Sequence, residues 1–296
     1  MDVRTLAEKA SIDGLSPPSY IKSFLAERAF ILPRNIGDRQ QIVSPTIGQA
    51  MLHEALRYLL RSMSQIASYE VICSRHQFSW ALVTSYYSNY FSVLSMNRLA
   101  GSAISTANGH NYKISRTEVQ SNFWVERTKV NNHKEIWQDN YNLYADFNWR
   151  DNLYDEIIIK VIRPANKDHY ERKSREYINY HPDSYEELFN SRSTINEINS
   201  FWGKNYTNSP TTVDLLPFSK NKIEEMFAKL ECRAVARQII ILTIFTEILK
   251  RLEPTSKNIL MEYFNKFSKN VMTRPPFSSK LKPLFQDFFQ DLTFKV

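Results

Sequence analysis

Glycine is scarce in this sequence, and so are the motifs built on it. Only six of the 296 residues are glycine, which leaves little material for the tight turns that bring a backbone close to phosphate groups. The phosphate-binding patterns GxGxxG and GxxxxGK[ST] are missing, as are the HExxH pattern of zincins and the GxSxG pattern of α/β-hydrolases. These absences disfavour nucleotide-dependent enzymes, zinc proteases and serine hydrolases.

Cysteine and paired histidine are scarce too. The two cysteines, Cys73 and Cys232, are far apart in the chain, and no CxxC pair occurs. They offer neither a disulfide framework nor a thiolate cluster, which favours a reducing cytoplasm. The six histidines stand singly, without the i, i+4 pairing of a helical metal site. The sequence therefore predicts a cytoplasmic protein that uses no metal and no cofactor.

Long hydrophobic runs are also absent. The first residues, MDVRTLAEKA, contain no apolar segment of the kind that marks a secretory signal. The most apolar stretch, residues 238–249 (QIIILTIFTEIL), covers about 12 residues, whereas a bilayer-spanning helix needs roughly 20. This stretch predicts a buried helix, and we expect no membrane partner.

Positive charge is abundant and unevenly distributed. The net charge is +7, with a balance of −4 over residues 134–159, +4 over residues 160–175, and a second basic region over residues 250–282. Clustered positive charge favours polyanions through counterion release, so we expect RNA or DNA as a partner more than an acidic protein. The alternative is that the basic run is a solvated helix face.

The composition predicts a globular chain, since 43% of the residues are hydrophobic and 13% are aromatic. The predicted fold is mainly α, a helical bundle with a small β-hairpin or loop insertion. Residues 1–45 are expected to form an N-terminal arm. Residues 46–296 are expected to form a single helical domain, with the β-like insertion at about 102–130 and a C-terminal helical hairpin plus aromatic tail at 219–296.

Local signals place the elements within this plan. Apolar residues at three- and four-residue spacing predict a helix from Thr46 and a central helix from about residue 69 to residue 100, which Gly101 ends at the C′ position. Ser19 is expected to cap a short helix in the arm. The Asn108-Gly109 pair predicts a hairpin turn between two strands of the insertion.

Two segments resemble a known family. The stretch SWALVTSYYSNYFSVLSMNRLAG (79–101) is similar to the YY-containing core helix of HEPN helical-bundle proteins, and REYINYH (175–181) matches the family's R-x(4–6)-H pattern. The resemblance covers about residues 46–190. It implies a homodimer whose arginines and histidines line one basic cleft, and a metal-independent ribonuclease of toxin or antiviral-defence type that a partner protein restrains.

The resemblance also implies roles for individual residues. Arg175 would hold the scissile phosphate, His181 would exchange a proton with the ribose 2′-hydroxyl or the leaving oxygen, and Asn179 would orient either group. The predicted nucleic-acid-binding side chains are Lys160, Arg163, Lys167, Arg172 and Lys173 of the basic run, together with Tyr87 and Tyr90.

Alternatives to this assignment remain open at the level of sequence. Pro182 follows His181 directly and favours an extended backbone or a helix start there, in which case His181 is a turn residue and Arg175 belongs to a solvated run. The aromatic run from Tyr86 to Phe91 suits helix packing as well as base stacking. A second functional hypothesis is a non-catalytic HEPN-like subunit that binds nucleic acid or protein in a bacterial defence assembly.

Overall fold

A computed structural model describes residues 2–15, 20–28, 31–75, 77–129, 133–147 and 222–267. The chain divides into two compact units. The first comprises Met1–Leu59, Ser92–Trp149 and Ile241–Glu262, and the second comprises Leu60–Phe91, Arg150–Ile240 and Tyr263–Val296. Four helices contribute residues to both units.

The described residues form seven helices and four strands. The helices are α1 (Val3–Ser11), α2 (Ile21–Glu27), α3 (Pro45–Ser74), α4 (Phe78–Leu99), α5 (His133–Leu143), α6 (Lys222–Leu249) and α7 (Pro254–Phe267). The strands are β1 (Arg39–Val43), β2 (Ser102–Ala107), β3 (His110–Arg116) and β4 (Asn122–Thr128). The predicted fold class, mainly α with a small β component, is confirmed for this part of the chain.

The boundary between α3 and α4 differs from the prediction. Residues 69–74 end α3 instead of starting the central helix, and α4 begins only at Phe78. Both helices use the same apolar spacing, so periodicity alone could not locate the break between them. The other end of α4 is as predicted, since Gly101 has a φ of +81° and donates its amide to the carbonyl of Arg98 at 3.0 Å.

The sheet is larger than the predicted hairpin insertion. Its strands are all antiparallel, in the order β1-β4-β3-β2. The turn between β2 and β3 is the predicted one, with positive φ at Asn108 and Gly109. Strand β1 was not predicted, because Ile42 is its only buried side chain and its other residues are exposed.

One face of the sheet packs on helices of the first unit. The buried residues of this core come from α2, α3, the segment between α2 and β1, and alternate positions of all four strands: Ile21, Phe24, Leu25, Leu32, Ile42, Ile47, Ala50, Met51, Ala103, Ala107, Tyr112, Ile114, Phe123 and Val125. The alternation follows from the period of two along a strand. The opposite face carries the intervening side chains, which are mostly polar.

The start of α2 is capped from another helix. Its N-cap residue is Tyr20, whose side chain makes no capping bond, while Ser19, the expected cap, lies outside the described residues. Glu54 of α3 accepts the amide of Ile21 at 3.0 Å through Oε1 and the Nε of Arg98 at 2.7 Å through Oε2. A buried carboxylate therefore satisfies one of the free amides of the helix start and one guanidinium together.

A second buried carboxylate fixes the N-terminal segment of the first unit. Asp13 accepts a hydrogen bond from Arg116 Nη2 at 2.8 Å and one from the hydroxyl of Ser121 at 2.6 Å. Its carboxylate also lies against α3 at Gly48, where an added Cβ would be 1.5 Å from Asp13 Oδ2. Glycine at this helical position is therefore required by the close approach of Asp13.

The described core of the second unit contains a polar network between α3, α4 and α6. The hydroxyls of Ser62 and Ser88 lie 3.1 Å apart, and each donates to the other residue's carbonyl, at 2.8 Å and 2.9 Å. Gln238 of α6 donates to Ser62 Oγ at 2.8 Å. Nearby, Asn89 donates to the carbonyl of Leu230 at 2.7 Å and accepts from Arg237. Small side chains and shared hydrogen bonds let these helices approach closely.

The apolar stretch at 238–249 lies within α6, and most of its side chains are buried, as predicted. Among the helices of the described segments, none combines the length and the apolar character needed to cross a bilayer.

We expect Gly48→Ala to destabilise the protein, although the same change inside a helix usually stabilises by about 1 kcal/mol. The new Cβ would displace Asp13, and separating Asp13 from Arg116 leaves a buried charge without a partner, which costs about 3–5 kcal/mol. Urea unfolding monitored by circular dichroism measures the change.

The control is the same substitution in an Asp13→Ala background, where the obstruction is gone. There Gly48→Ala should be neutral or stabilising. A loss of stability of equal size in both backgrounds would contradict the contact between Gly48 and Asp13.

Candidate functional site

Most of the predicted site residues lie outside the described residues. These are Arg175, Asn179 and His181 of the predicted catalytic set and Lys160, Arg163, Lys167, Arg172 and Lys173 of the predicted binding set. Only Tyr87 and Tyr90 fall within the described part of the chain.

Tyr87 and Tyr90 lie on α4 in the second unit, and both are half-buried. Tyr86 is fully buried and stacks on Tyr90 at 6.2 Å between ring centroids, while Tyr87 stacks on Phe91 at the same distance. These are i, i+4 pairs, which the helical repeat brings onto one face. The aromatic run is therefore divided, with Tyr86 in the core and the two predicted residues partly accessible.

An arginine from α3 joins these aromatic residues. The guanidinium of Arg61 lies 4.4 Å from the centroid of the Phe91 ring, within the range of a cation–π interaction. Arg61 is exposed, and it makes no ion pair with a carboxylate of the described residues. We call Arg61, Tyr87, Tyr90 and Phe91 the aromatic patch. Phe91 is buried, but the half-buried rings of Tyr87 and Tyr90 and the cation of Arg61 together suit a single-stranded nucleic acid, whose bases stack and whose backbone is anionic.

A small polar cavity lies in the first unit between the sheet and α5. Its volume is about 230 Å³, and its lining residues are Ile104, Lys113, Thr128, Glu135, Gln138, Asp139 and Asn142. At its base, Asp139 accepts from the Nζ of Lys113 at 2.5 Å and from the hydroxyl of Ser102 at 2.5 Å. Both carboxylate oxygens of Asp139 are thus occupied.

The chemistry of this cavity is structural more than catalytic. Ser102 is buried and donates to a carboxylate that is already paired with a lysine, so its hydroxyl is not poised to attack a ligand. The lining side chains carry two carboxylates and one ammonium, a balance that does not attract an RNA backbone.

Asparagine and tyrosine contacts hold α5 beside α4 in the first unit. Asn97 accepts from Asn140 at 2.8 Å and donates to the carbonyl of Ile136 at 3.1 Å. Tyr144 donates to the carbonyl of Met96 at 2.8 Å, and burial raises the pKa of its hydroxyl well above the ordinary value. Tyr144 therefore remains a neutral hydrogen-bond donor.

His53 of α3 is sealed in the first unit. Its side chain is 0% exposed, and its ring meets Tyr20 edge-on at 5.6 Å. Burial lowers the pKa of His53 below its ordinary value, and the neighbouring charge of Glu54 opposes this effect only in part. A histidine that is buried and neutral cannot reach an RNA phosphate, so His53 does not offer an alternative acid–base group.

His110 is in a different environment, on the surface of the sheet. Arg127 Nη2 of β4 lies 3.0 Å from His110 Nδ1 of β3. Sequence reasoning missed this guanidinium–imidazole pair, since 17 residues separate its members and only the strand register brings them together. The Asn108-Gly109 turn signal and the length of the two strands are the features from which the register could have been inferred.

Within the described segments, no group of three or more histidine, cysteine, aspartate or glutamate side chains is arranged to hold a metal ion. No protein-family model, curated protein or solved structure matches the chain.

The Ser102–Asp139 hydrogen bond should show coupling in a double-mutant cycle. Asp139→Ala leaves a buried hydroxyl and a lysine without their acceptor, whereas Ser102→Ala removes only one donor. Because an unsatisfied buried polar group costs about 1–3 kcal/mol, we expect a coupling energy of at least about 1 kcal/mol in the free energy of unfolding. Additive effects of the two substitutions would contradict the contact.

The buried His53 should make stability fall in acid. The pKa of His53 is lowered in the folded state, so below its ordinary value of 6.5 the unfolded chain binds a proton that the folded chain resists. As the pH falls from about 7.5 to about 5.5, the wild type should lose stability that His53→Phe keeps. We expect the difference in free energy of unfolding between the two proteins to change by about 1 kcal/mol in favour of His53→Phe. Urea unfolding across this range measures the difference, and parallel curves for the two proteins would contradict it.

Proposed function

We propose that this chain is a metal-independent endoribonuclease of toxin or antiviral-defence type, with Arg175 and His181 as its catalytic pair. The observation that carries the proposal is the order of two motifs along the chain: the aromatic helix with Tyr86 and Tyr87, followed by an arginine and a histidine five residues apart. The charge of +4 over residues 160–175 supports it, since a positive run next to the pair suits an anionic substrate.

In the proposed reaction His181 takes the proton of the ribose 2′-hydroxyl or supplies one to the leaving oxygen. An imidazole has an ordinary pKa of about 6.5, which suits proton transfer near neutral pH. Arg175 holds the scissile phosphate and balances the charge that develops on it. Asn179 orients one of these groups by hydrogen bonding. The nucleophile is part of the RNA, so no metal-bound water is needed.

The described residues support this proposal in two ways. His53 is buried, which removes one of the other histidines as a rival acid–base group. The aromatic patch supplies ring faces and a cation of the kind that holds unpaired bases and their backbone. In the proposal, Tyr87 and Tyr90 hold substrate and the basic run from Lys160 to Lys173 follows its backbone.

The finer architecture is part of the same proposal. A helical bundle that pairs with a second copy would bring two sets of Arg175 and His181 into one cleft. On a continuous helix the six-residue separation would put these two side chains roughly 120° apart, so the second copy would supply the missing partner. An inhibitory protein partner would keep such a nuclease inactive in its own cell.

A second candidate function is a non-catalytic subunit that binds RNA in a defence assembly. The aromatic patch favours it, because stacking and charge hold a single strand without any acid–base group. The two candidates differ in whether bound RNA is cleaved.

Incubating the purified chain with a mixed-sequence RNA in the presence of EDTA tests both. We expect cleavage by the wild-type chain and a loss of about 100-fold or more in rate for Arg175→Ala and for His181→Ala, since each removes a group from the proton transfer or the charged transition state. Gel analysis of the products measures the rates, and thermal unfolding confirms that the variants are folded.

His169→Ala and Arg192→Ala are the matched controls, because they remove the same residue types from the same region without touching the proposed pair. Equal activity of His181→Ala and His169→Ala would exclude the assigned site. Wild-type protein that binds RNA and leaves it intact would favour the non-catalytic subunit.

A further inference from the structure

The pair formed by Arg127 and His110 lies at one corner of the sheet in the first unit. Arg127 is directly opposite Tyr112 in the register of β4 and β3. His110 is two residues before Tyr112 on the same strand, so it is on the same face and diagonal to Arg127. Such diagonal neighbours are within reach of long side chains. The register therefore explains the 3.0 Å contact between Arg127 Nη2 and His110 Nδ1.

The direction of this hydrogen bond is fixed by arginine, which only donates. Nδ1 of His110 is the nearer acceptor at 3.0 Å, and Nε2 lies 3.5 Å from the same guanidinium nitrogen. With Nδ1 accepting, the ring proton is assigned to Nε2. The other nitrogens of the guanidinium and the Nε2–H of the imidazole are donors that this contact leaves available. His110 is exposed and Arg127 is half-buried, so a ligand can reach both.

The charge of Arg127 is not balanced by its surroundings. Among the residues that the structure describes, no carboxylate is within ion-pairing distance of it. The nearest acidic residue by strand pairing is Asp38, whose carboxylate accepts from the side chain of Asn35 at 2.9 Å. Lys129 is exposed two residues beyond Arg127 on the same chain segment and adds a second positive charge to this corner.

The backbone around Arg127 is held on its β1 side. Its carbonyl accepts from Gly37 at 2.9 Å and its amide donates to the carbonyl of Asp38 at 3.1 Å. On the β3 side, the tight turn at Asn108 and Gly109 sets the position of His110. Donors carried by a rigid scaffold lose less freedom when they bind a ligand.

We propose that Arg127 and His110 form a phosphate-binding site, with an RNA phosphodiester as its ligand. A guanidinium edge and an imidazole N–H can donate to two oxygens of one phosphate, an arrangement stronger than a lone cation because the bonds are charge-assisted and directional. The choice of RNA as the source of the phosphate rests on the proposed function. Inorganic phosphate presents the same oxygens and is the rival source.

The test uses the full chain and a short 2′-O-methyl oligoribonucleotide, which lacks the 2′-hydroxyl needed for cleavage. We expect Arg127→Ala to weaken binding about 3- to 10-fold and to reduce the salt dependence by about one phosphate contact. Arg39→Ala is the matched control, since Arg39 lies opposite Glu126 in the register of β1 and β4, on the other face of the same sheet. Its loss should change the affinity by less than about 2-fold.

A second measurement observes the site in the wild-type chain and uses a substitution only to assign the signal. The ring signals of 13C-labelled histidine in the wild-type chain should include one that shifts on adding the oligoribonucleotide, and His110→Gln identifies it. A shift with either the oligoribonucleotide or inorganic phosphate supports the phosphate site, and the probe that produces it identifies the source. No shift with either probe, together with equal affinities for Arg127→Ala and Arg39→Ala, overturns the proposal. A wild-type chain that cleaves no RNA would remove the ribonuclease proposal and leave this readout unchanged.

Discussion

A carboxylate that is buried away from water must find hydrogen-bond donors within the protein. In the first unit, the buried carboxylate of Asp13 connects the N-terminal segment to the sheet. Its two acidic oxygens are taken by Arg116 and Ser121. One partner ends β3 and the other lies in the turn before β4, so a residue that follows the first helix holds the turn between β3 and β4. These contacts are possible because residue 48 of α3 is glycine, which has no Cβ and so leaves room for the Asp13 carboxylate against the helix. The segment that precedes the bulk of the chain is therefore an integral part of its unit.

Helix α4 shows the same principle with neutral groups. In the first unit, Ser95 donates to the carbonyl of Ala55 at 2.7 Å and Asn97 connects to α5. In the second, Ser88 and Asn89 bond to groups on α3 and α6. All four are almost completely buried. Satisfied polar groups of this size allow helices to pack closely without the cost of unpaired donors, which is why α4 has polar residues on nearly every side and still lies in a core.

The sequence predicted the features that depend on neighbouring residues. Helices α3 and α4 follow from apolar spacing and the buried part of α6 follows from an apolar run, while Gly101 and the Asn108-Gly109 turn follow from the need for positive φ. The features it missed depend on distant residues: β1 is stabilised by β4, Ile21 is capped by Glu54, and Arg127 meets His110 only through the register of two strands. For the candidate site, Tyr87 and Tyr90 are accessible in part, while the proposed catalytic pair is identified by its motif alone.

The contact between Leu15 and Ser256 has a consequence for how the chain is made. The hydroxyl of Ser256 accepts the amide of Leu15 at 3.1 Å and donates to its carbonyl at 2.9 Å, across 241 positions. On the ribosome, Leu15 is synthesised long before Ser256. The two hydrogen bonds between them therefore cannot form until the later residue has been added. Closing so wide a loop is slow because its entropy is lost before the contact can repay it. The contacts of Asp13 with Arg116 and Ser121 can form once the sheet has been synthesised, whereas the two hydrogen bonds of Leu15 can form only after the start of α7 has been synthesised.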